Sequence, residues 1–217
     1  MWRVFDEEAS QYETWYATPQ GQRVGQAERA LLGRLLAPFP EAQSILEIGC
    51  GTGHFTRWFT EKVRLVIGLD RAPTMLAEFR KTSTEVPIVL GDGHCLPIAD
   101  GSVDLSVFVV TLEFLEDPQV ALAEAMRVAR RGVLLITLNP WSLGGLSRKI
   151  GTQSRGAILS RAKRFPIGSL RDMAAKAAGS RLQRILWTST LFPDGLWRIC
   201  FPIPLGDVLG LSLVLGP

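Results

Sequence analysis

The sequence predicts a doubly wound α/β domain: seven strands, mostly parallel, an antiparallel last strand, and helices on both faces. Three observations carry this. Strand-like and helix-like segments alternate five times between residues 44 and 139, and the strands are apolar throughout, as strands covered on both faces are. Gly49, Gly51 and Gly53 follow the first strand directly, where a helix begins. Two further apolar runs, 182–190 and 208–215, read as an antiparallel pair that closes the sheet.

The elements follow in order. "ASQYETWYATPQGQ" gathers Tyr12, Trp15 and Tyr16 ahead of a helix over 20–36, which sets Ala27, Ala30, Leu31 and Leu35 near one face and stops at Pro38 and Pro40. Residues 44–49 form a buried strand and 54–62 a helix. A second strand, 64–70, ends on Asp70. The helix over 73–82 carries Pro73 in its first turn, where a missing N–H costs nothing. Strands at 87–92 and 103–111, a helix at 118–129 and a strand at 132–139 complete the alternation. A helix over 169–179 has Ser169 as N-cap and Gly179 as its stop. The closing stretch "ICFPIPLGDVLGLSLVLGP" is long enough for a membrane span. Pro202, Pro204, Gly206 and Gly210 interrupt it, so it reads instead as two short buried strand pieces around a turn.

Right-handed crossovers bring the C-terminal ends of the parallel strands to one edge, where open sheets of this kind bind ligands. The glycine turn, Asp70, Asp92, Thr111 with Glu113, and Asn139 all fall on that rim. A chain of 217 residues supports one core. It divides into a helical cover (1–40), a ligand-binding core (41–138) and a basic cap with the last strands (139–217). Cys50, Cys95 and Cys200 form neither a disulfide framework nor a zinc pattern, which fits a reducing, cytoplasmic setting, and no metal site is expected. Residues 1–138 carry 13 Lys+Arg against 18 Asp+Glu, whereas residues 139–217 carry 11 against 3. That basic segment needs an anionic or solvent-facing neighbour.

The glycines fit neither G-x-G-x-x-G, because His54 and Thr56 occupy the last position in the two registers, nor a phosphate loop ending in G-K-[ST]. "LEIGCGTGHF" resembles the first motif of class I S-adenosylmethionine-dependent methyltransferases. "VIGLD" resembles their second, "GDGHCLPIADGSVDLSVFVVTLEFLEDP" their third and fourth, and "EAMRVARRGVLLIT" the approach to their fifth strand. The order and spacing are those of the small-molecule branch, the ubiquinone/menaquinone-type (type 11) enzymes. The resemblance covers about residues 40–138 and implies a Rossmann-like fold, S-adenosylmethionine as cofactor and S-adenosylhomocysteine as product.

On that resemblance Asp70 accepts the ribose hydroxyls, and Asp92 accepts the adenine amine, with Gly93 and His94 beside the ring. Gly49, Cys50, Gly51 and Gly53 form the turn under the amino-acid tail, and Glu47 orients it. Arg71 and Thr111 complete the cofactor set. Tyr12, Trp15, Tyr16, Glu113, Asn139 and Trp141 are the candidates for the acceptor side, with a mobile N-terminal segment as cover. No catalytic base stands out; His94, Glu113, Tyr12 and Tyr16 are the groups available. The expected acceptor is a small molecule with an apolar body or an acidic group, or one drawn from an anionic membrane surface. Two other readings compete, an RNA methyltransferase and a non-catalytic cofactor-binding protein. The segment Thr111-Leu112-Glu113-Phe114 lacks the N-P-P-Y type of string, which argues against nucleic acid. No transmembrane segment is expected, peripheral membrane contact stays open, and the chain is read as a monomer or homodimer.

Overall fold

Strands that are apolar on both faces need cover on both, and the chain supplies it with helices from its two ends as well as its middle. The computed structural model describes residues 3–142, 161–191 and 199–216. Helices α1 (Arg3–Ala17) and α2 (Pro19–Leu36) come first. Then β1 (Ser44–Ile48), α3 (His54–Phe59), β2 (Leu65–Asp70), α4 (Pro73–Thr82), β3 (Ile88–Leu90) and β4 (Val103–Val109) alternate. A 3₁₀ turn (Leu112–Phe114), α5 (Pro118–Val128) and β5 (Ala129–Leu138) follow, and α6 (Ile167–Ala178), β6 (Leu182–Thr190) and β7 (Val208–Leu215) close the chain.

The sheet order is β3-β2-β1-β4-β5-β7-β6. The first five strands pair in parallel, and β7 runs antiparallel to both β5 and β6. The order reverses between β1 and β4, so the C-terminal ends of these two strands flank a crevice. On one face α5 and α6 bury Leu122, Met126, Leu170 and Ala174 against Leu46, Phe108, Leu135 and Leu211. On the other, α2 and α3 bury Leu31, Leu35, Phe55 and Phe59 against Ile45, Leu105, Leu134 and Ile136. At the edge away from the crevice, buried Asp104 accepts from the N–H groups of Gln43 and Ser44 and from Arg130 and Arg131, tying β1, β4 and β5 together.

Several expected boundaries move. The α3 helix ends at Phe59, short of 62, and β5 begins three residues early at Ala129, because its ladder reaches Val103 across a bulge beside Asp104. Ala30 is exposed, and α2 turns Glu28 inward beside Ala27 and Leu31. Ser169 lies inside the first turn of α6, whose cap position is Pro166. The closing stretch is one strand rather than two: Phe201 makes only an isolated bridge to Ser189, and 208–215 carries the ladder. No described helix is long and apolar enough to cross a membrane. Arg148, Lys149 and Arg155 of the basic cap lie outside the described residues.

Candidate cofactor cleft and its rim

The glycine turn begins where Gly49 and Cys50 donate to the Leu69 carbonyl (2.7 and 3.0 Å), which pins it to the end of β2. All three glycines adopt positive φ, at 77°, 53° and 81°. Each is required for a different reason. A Cβ on Gly49 would fall 2.2 Å from the Thr111 methyl, and one on Gly53 would fall 2.5 Å from the Phe79 ring. A Cβ on Gly51 would meet only the Met75 sulfur, at 3.8 Å. Gly49 and Gly53 are therefore set by the protein's own packing, and Gly51 leaves bare backbone facing open space.

That space is an open cleft with about 830 Å³ of empty volume, counted out into solvent at its mouth. Its polar wall is Gly49, Gly51, Asp70, Arg71, Asp92, Gly93, His94 and Thr111; its apolar wall includes Ile48, Leu69, Met75, Val109 and Leu115. Asp70 Oδ2 accepts from Gly51 N–H and Oδ1 from Ala72 N–H, both at 2.8 Å. Burial raises the pKa of this carboxyl, and those two amides oppose the rise. Each oxygen keeps lone-pair capacity for a second donor, as two vicinal hydroxyls would provide.

Asp92 is held differently. Its Oδ1 accepts from His94 N–H (3.0 Å) and Nδ1 (2.6 Å), and its Oδ2 faces Arg71 at 3.2 Å. Slight burial pushes the carboxyl up, but the His94 bonds and the Arg71 charge outweigh it and lower the pKa. His94 Nε2 accepts from Asp117 N–H at 3.1 Å. Both ring nitrogens are therefore engaged, with the proton on Nδ1, and His94 has no lone pair to act as a base.

Helix α1 roofs the cleft with Phe5 and Tyr12. It is fastened at both ends. Asp6 takes the Thr74 N–H (3.0 Å) and its hydroxyl. Glu13 accepts from Thr52 Oγ1 (2.8 Å) and Arg57 (2.7 Å) on the glycine-turn side. Burial pushes Glu13 up, but bonds from His54, Arg57 and Thr52 prevail and hold it at about 2. Phe5 sits edge-on to Phe114, ring centroids 4.8 Å apart.

Other expected site residues lie off the cleft. Glu47 is fully buried behind the turn, bonded to Thr56 Oγ1 at 2.5 Å, and burial drives its carboxyl to about 8. Cys50 packs toward Gly68, and Gly53 packs on Phe79. Tyr16 stacks on His54 at 3.7 Å and is buried, with Trp15 edge-on to it, so both belong to the α1–α3 packing and not to the acceptor wall. Buried Glu113 accepts from Leu138 N–H at 2.5 Å and has no partner on Oε2; burial holds its carboxyl at about 7. Asn139 is fully buried and donates to the carbonyls of Pro204 (2.9 Å) and Gly206 (2.7 Å). Trp141 is 59% exposed and does not line the cleft. Conversely, the sequence reading missed Phe5, Met75, Val110 and Glu116 on the wall. Glu116 could have been found by the rim rule; Phe5 and Val110 carried no signal.

S-adenosylmethionine fits this wall. Among the described residues the cleft opens on bare backbone at Gly51 and is lined by the acids Asp70, Asp92 and Glu116 with one basic residue, Arg71, which suits a cationic sulfonium with an ammonium tail. Comparison with known proteins agrees. A methyltransferase domain family matches residues 46–137. The malonyl-[acyl-carrier protein] O-methyltransferase of Pectobacterium atrosepticum is 34% identical over 145 residues, covering 63% of this chain and 57% of that protein. An uncharacterized protein of Methanocaldococcus jannaschii, MJ1123, is 32% identical over 61% of this chain and 59% of its own length. The chain thus spans little more than half the length of these relatives. A solved Thermotoga maritima S-adenosylmethionine-dependent methyltransferase, described as a possible histamine N-methyltransferase, superposes with TM-score 0.75 at 25% identity over all of both chains.

Proposed function

We propose, from the premise that this chain carries a class I S-adenosylmethionine-dependent methyltransferase domain, that it methylates a small-molecule acceptor at a carboxylate oxygen. One juxtaposition carries the cofactor part of the reading: Gly51, whose missing side chain opens on the cleft, lies 2.8 Å by its N–H from Asp70, whose oxygens retain capacity beside it. Asp70 would hold the ribose, the Asp92–His94 corner the adenine, and the Gly49 turn the amino-acid tail. The bound cofactor supplies a methyl group already activated by positive sulfur.

The chain's own work is to orient the acceptor, exclude water beneath α1, and leave the acceptor's lone pair free. A strong base is not required if the acceptor is already anionic. This matters because His94 is bonded at both nitrogens, and Glu113 and Tyr16 are buried away from the cleft. A carboxylate meets the condition, and the basic residues Arg161, Lys163 and Arg164 would favour it. Lys163 Nζ donates to the carbonyls of Leu115 and Glu116 on the cleft wall (both 2.9 Å). The Pectobacterium relative is named for O-methylation of a malonyl group. Three free cysteines fit a cytoplasmic setting.

The test is turnover with methyl-labelled donor on a panel of acyl carboxylates, amines and phenols. The expected product is a methyl ester, released by mild alkali. Transfer to amines alone would overturn the carboxylate assignment. Cofactor binding without transfer to any acceptor would favour a non-catalytic role.

A further inference from the structure

The polar rim does not end at the cleft. Beyond Asn139 lies a turn, residues 199–206, with no charged side chain and two prolines, and its large apolar groups face outward. Ile199 is 39% exposed, Phe201 39%, Ile203 43% and Leu205 38%, with Trp141 at 59% beside them. Four exposed large apolar side chains in seven residues are costly for a surface that meets only water.

Part of the backbone of this turn is bonded within the protein. The carbonyl of Ile199 accepts from Thr190 Oγ1, that of Phe201 from Ser189 N–H, and that of Ile203 from Ser189 Oγ and Leu205 N–H. Asn139 Nδ2 holds the carbonyls of Pro204 and Gly206. Phe201 N–H is returned to Ser189, and Pro202 and Pro204 have no N–H to satisfy. A solvent-exposed turn does not need such provision, because water would serve. A turn seated in the interfacial layer gains from such bonds, because water is scarcer there.

Charge lies next to the apolar groups. The Arg164 guanidinium reaches the Asn139 carbonyl at 3.5 Å, and Trp141 N–H donates to Asn139 Oδ1 at 3.1 Å. One buried asparagine thus holds backbone groups of the apolar turn and of Trp141, and the Arg164 guanidinium, close to one another. Lys163, next in the chain to Arg164, touches the wall of the cleft.

We propose that this patch is a docking surface for an anionic lipid bilayer, with Phe201, Ile203, Leu205 and Trp141 entering the interfacial layer and Arg161, Lys163 and Arg164 meeting the headgroups. Tryptophan and aliphatic side chains suit the interfacial layer, and basic residues near an anionic surface strengthen the attraction. The patch and the mouth of the cleft share the rim, so docking would bring an acceptor with an apolar body to the cleft from the membrane side. Docking itself does not depend on the carboxylate reading.

The test is flotation with vesicles of phosphatidylcholine alone and of an equal mixture with phosphatidylglycerol, without cofactor or acceptor. The wild type should float with the anionic vesicles and much less with the neutral ones. The double variant Phe201→Ser/Ile203→Ser should lose about tenfold in partitioning. The double variant Arg161→Gln/Arg164→Gln should lose most of the preference for anionic lipid. Both variants should keep the wild-type melting temperature and cofactor affinity, which separates this test from that of the methyltransferase reading. A blue shift of emission on vesicle addition should disappear in Trp141→Phe. Flotation unchanged in Phe201→Ser/Ile203→Ser overturns the proposal. So does a wild type that ignores both vesicles; if it then binds soluble polyglutamate, the patch belongs to an acidic protein partner.

Discussion

The two halves of the strand rim use polar residues differently. At the ends of β2 and β3, Asp70 and Asp92 accept from backbone N–H groups and line the cleft, as Asp70 does with Gly51 and Ala72. Past β4 and β5 the uses divide: Thr111 and Glu116 still line the cleft, whereas Glu113 and Asn139 are wholly buried and bond backbone groups, and the turn beyond Asn139 is apolar. A polar residue at a strand end is thus a site residue only where its atoms face a cavity. The first half reads as a binding wall, the second as part wall and part scaffold.

The sharpest way to break this contrast is Asp70→Ala. It should weaken S-adenosylmethionine binding by about 2–4 kcal/mol, the scale of losing charge-assisted hydrogen bonds, as read by titration calorimetry on folded protein. Unchanged affinity would move the ribose elsewhere.

Glu113 tests the other half. Burial holds it near 7 and Glu47 near 8, against 4.5 for the free side chain. The folded state therefore keeps protons that the unfolded chain has released. Stability should fall as pH rises from about 4.5, and level off above these values. Glu113→Gln should remove its share of the fall, on the order of 3 kcal/mol, in urea midpoints at pH 5 and 8, without altering cofactor affinity. A cofactor effect would place Glu113 on the binding wall after all.

The glycines sharpen the comparison within a single turn. Gly53→Ala drives a methyl into the Phe79 ring at a positive φ, and should cost about 2–3 kcal/mol of stability. Gly51→Ala has room, so it should cost the apo protein only about 1 kcal/mol while abolishing most of the melting-temperature gain from the cofactor. Equal losses of stability would reduce Gly51 to a turn residue.

Asn139→Ala should cost about 1–2 kcal/mol, by stranding the Pro204 and Gly206 carbonyls, and leave the acceptor KM unchanged. The smallest effect is expected from replacing Arg161, Lys163 and Arg164 together by Gln: a two- to threefold rise in KM for an anionic acceptor, less than about 1 kcal/mol, with a shallower salt dependence and unchanged cofactor affinity.

Much of this was open to a reader of the sequence. Apolar strands alternating with helices determined the parallel core, and handedness then determined the shared rim. Glycines after β1 and an acid closing β2 pointed to the strand rim, and Gly49, Gly51 and Asp70 do line the cleft there. What one dimension could not carry was the direction in which a side chain points. Glu47, Cys50 and Gly53 share a turn with Gly51, yet they face the core because the chain rotates between them. Tyr12 and Tyr16 lie one helical turn apart, but Tyr16 meets His54 and Tyr12 the cleft. Val110 reaches the cleft at a φ of 49°, a conformation that costs a branched residue about 1–3 kcal/mol and that only the surrounding packing can hold. The bonds from Asn139 to Pro204 and Gly206 span 65 and 67 residues, so that pairing and the outward-facing apolar turn it supports were decided by the tertiary fold.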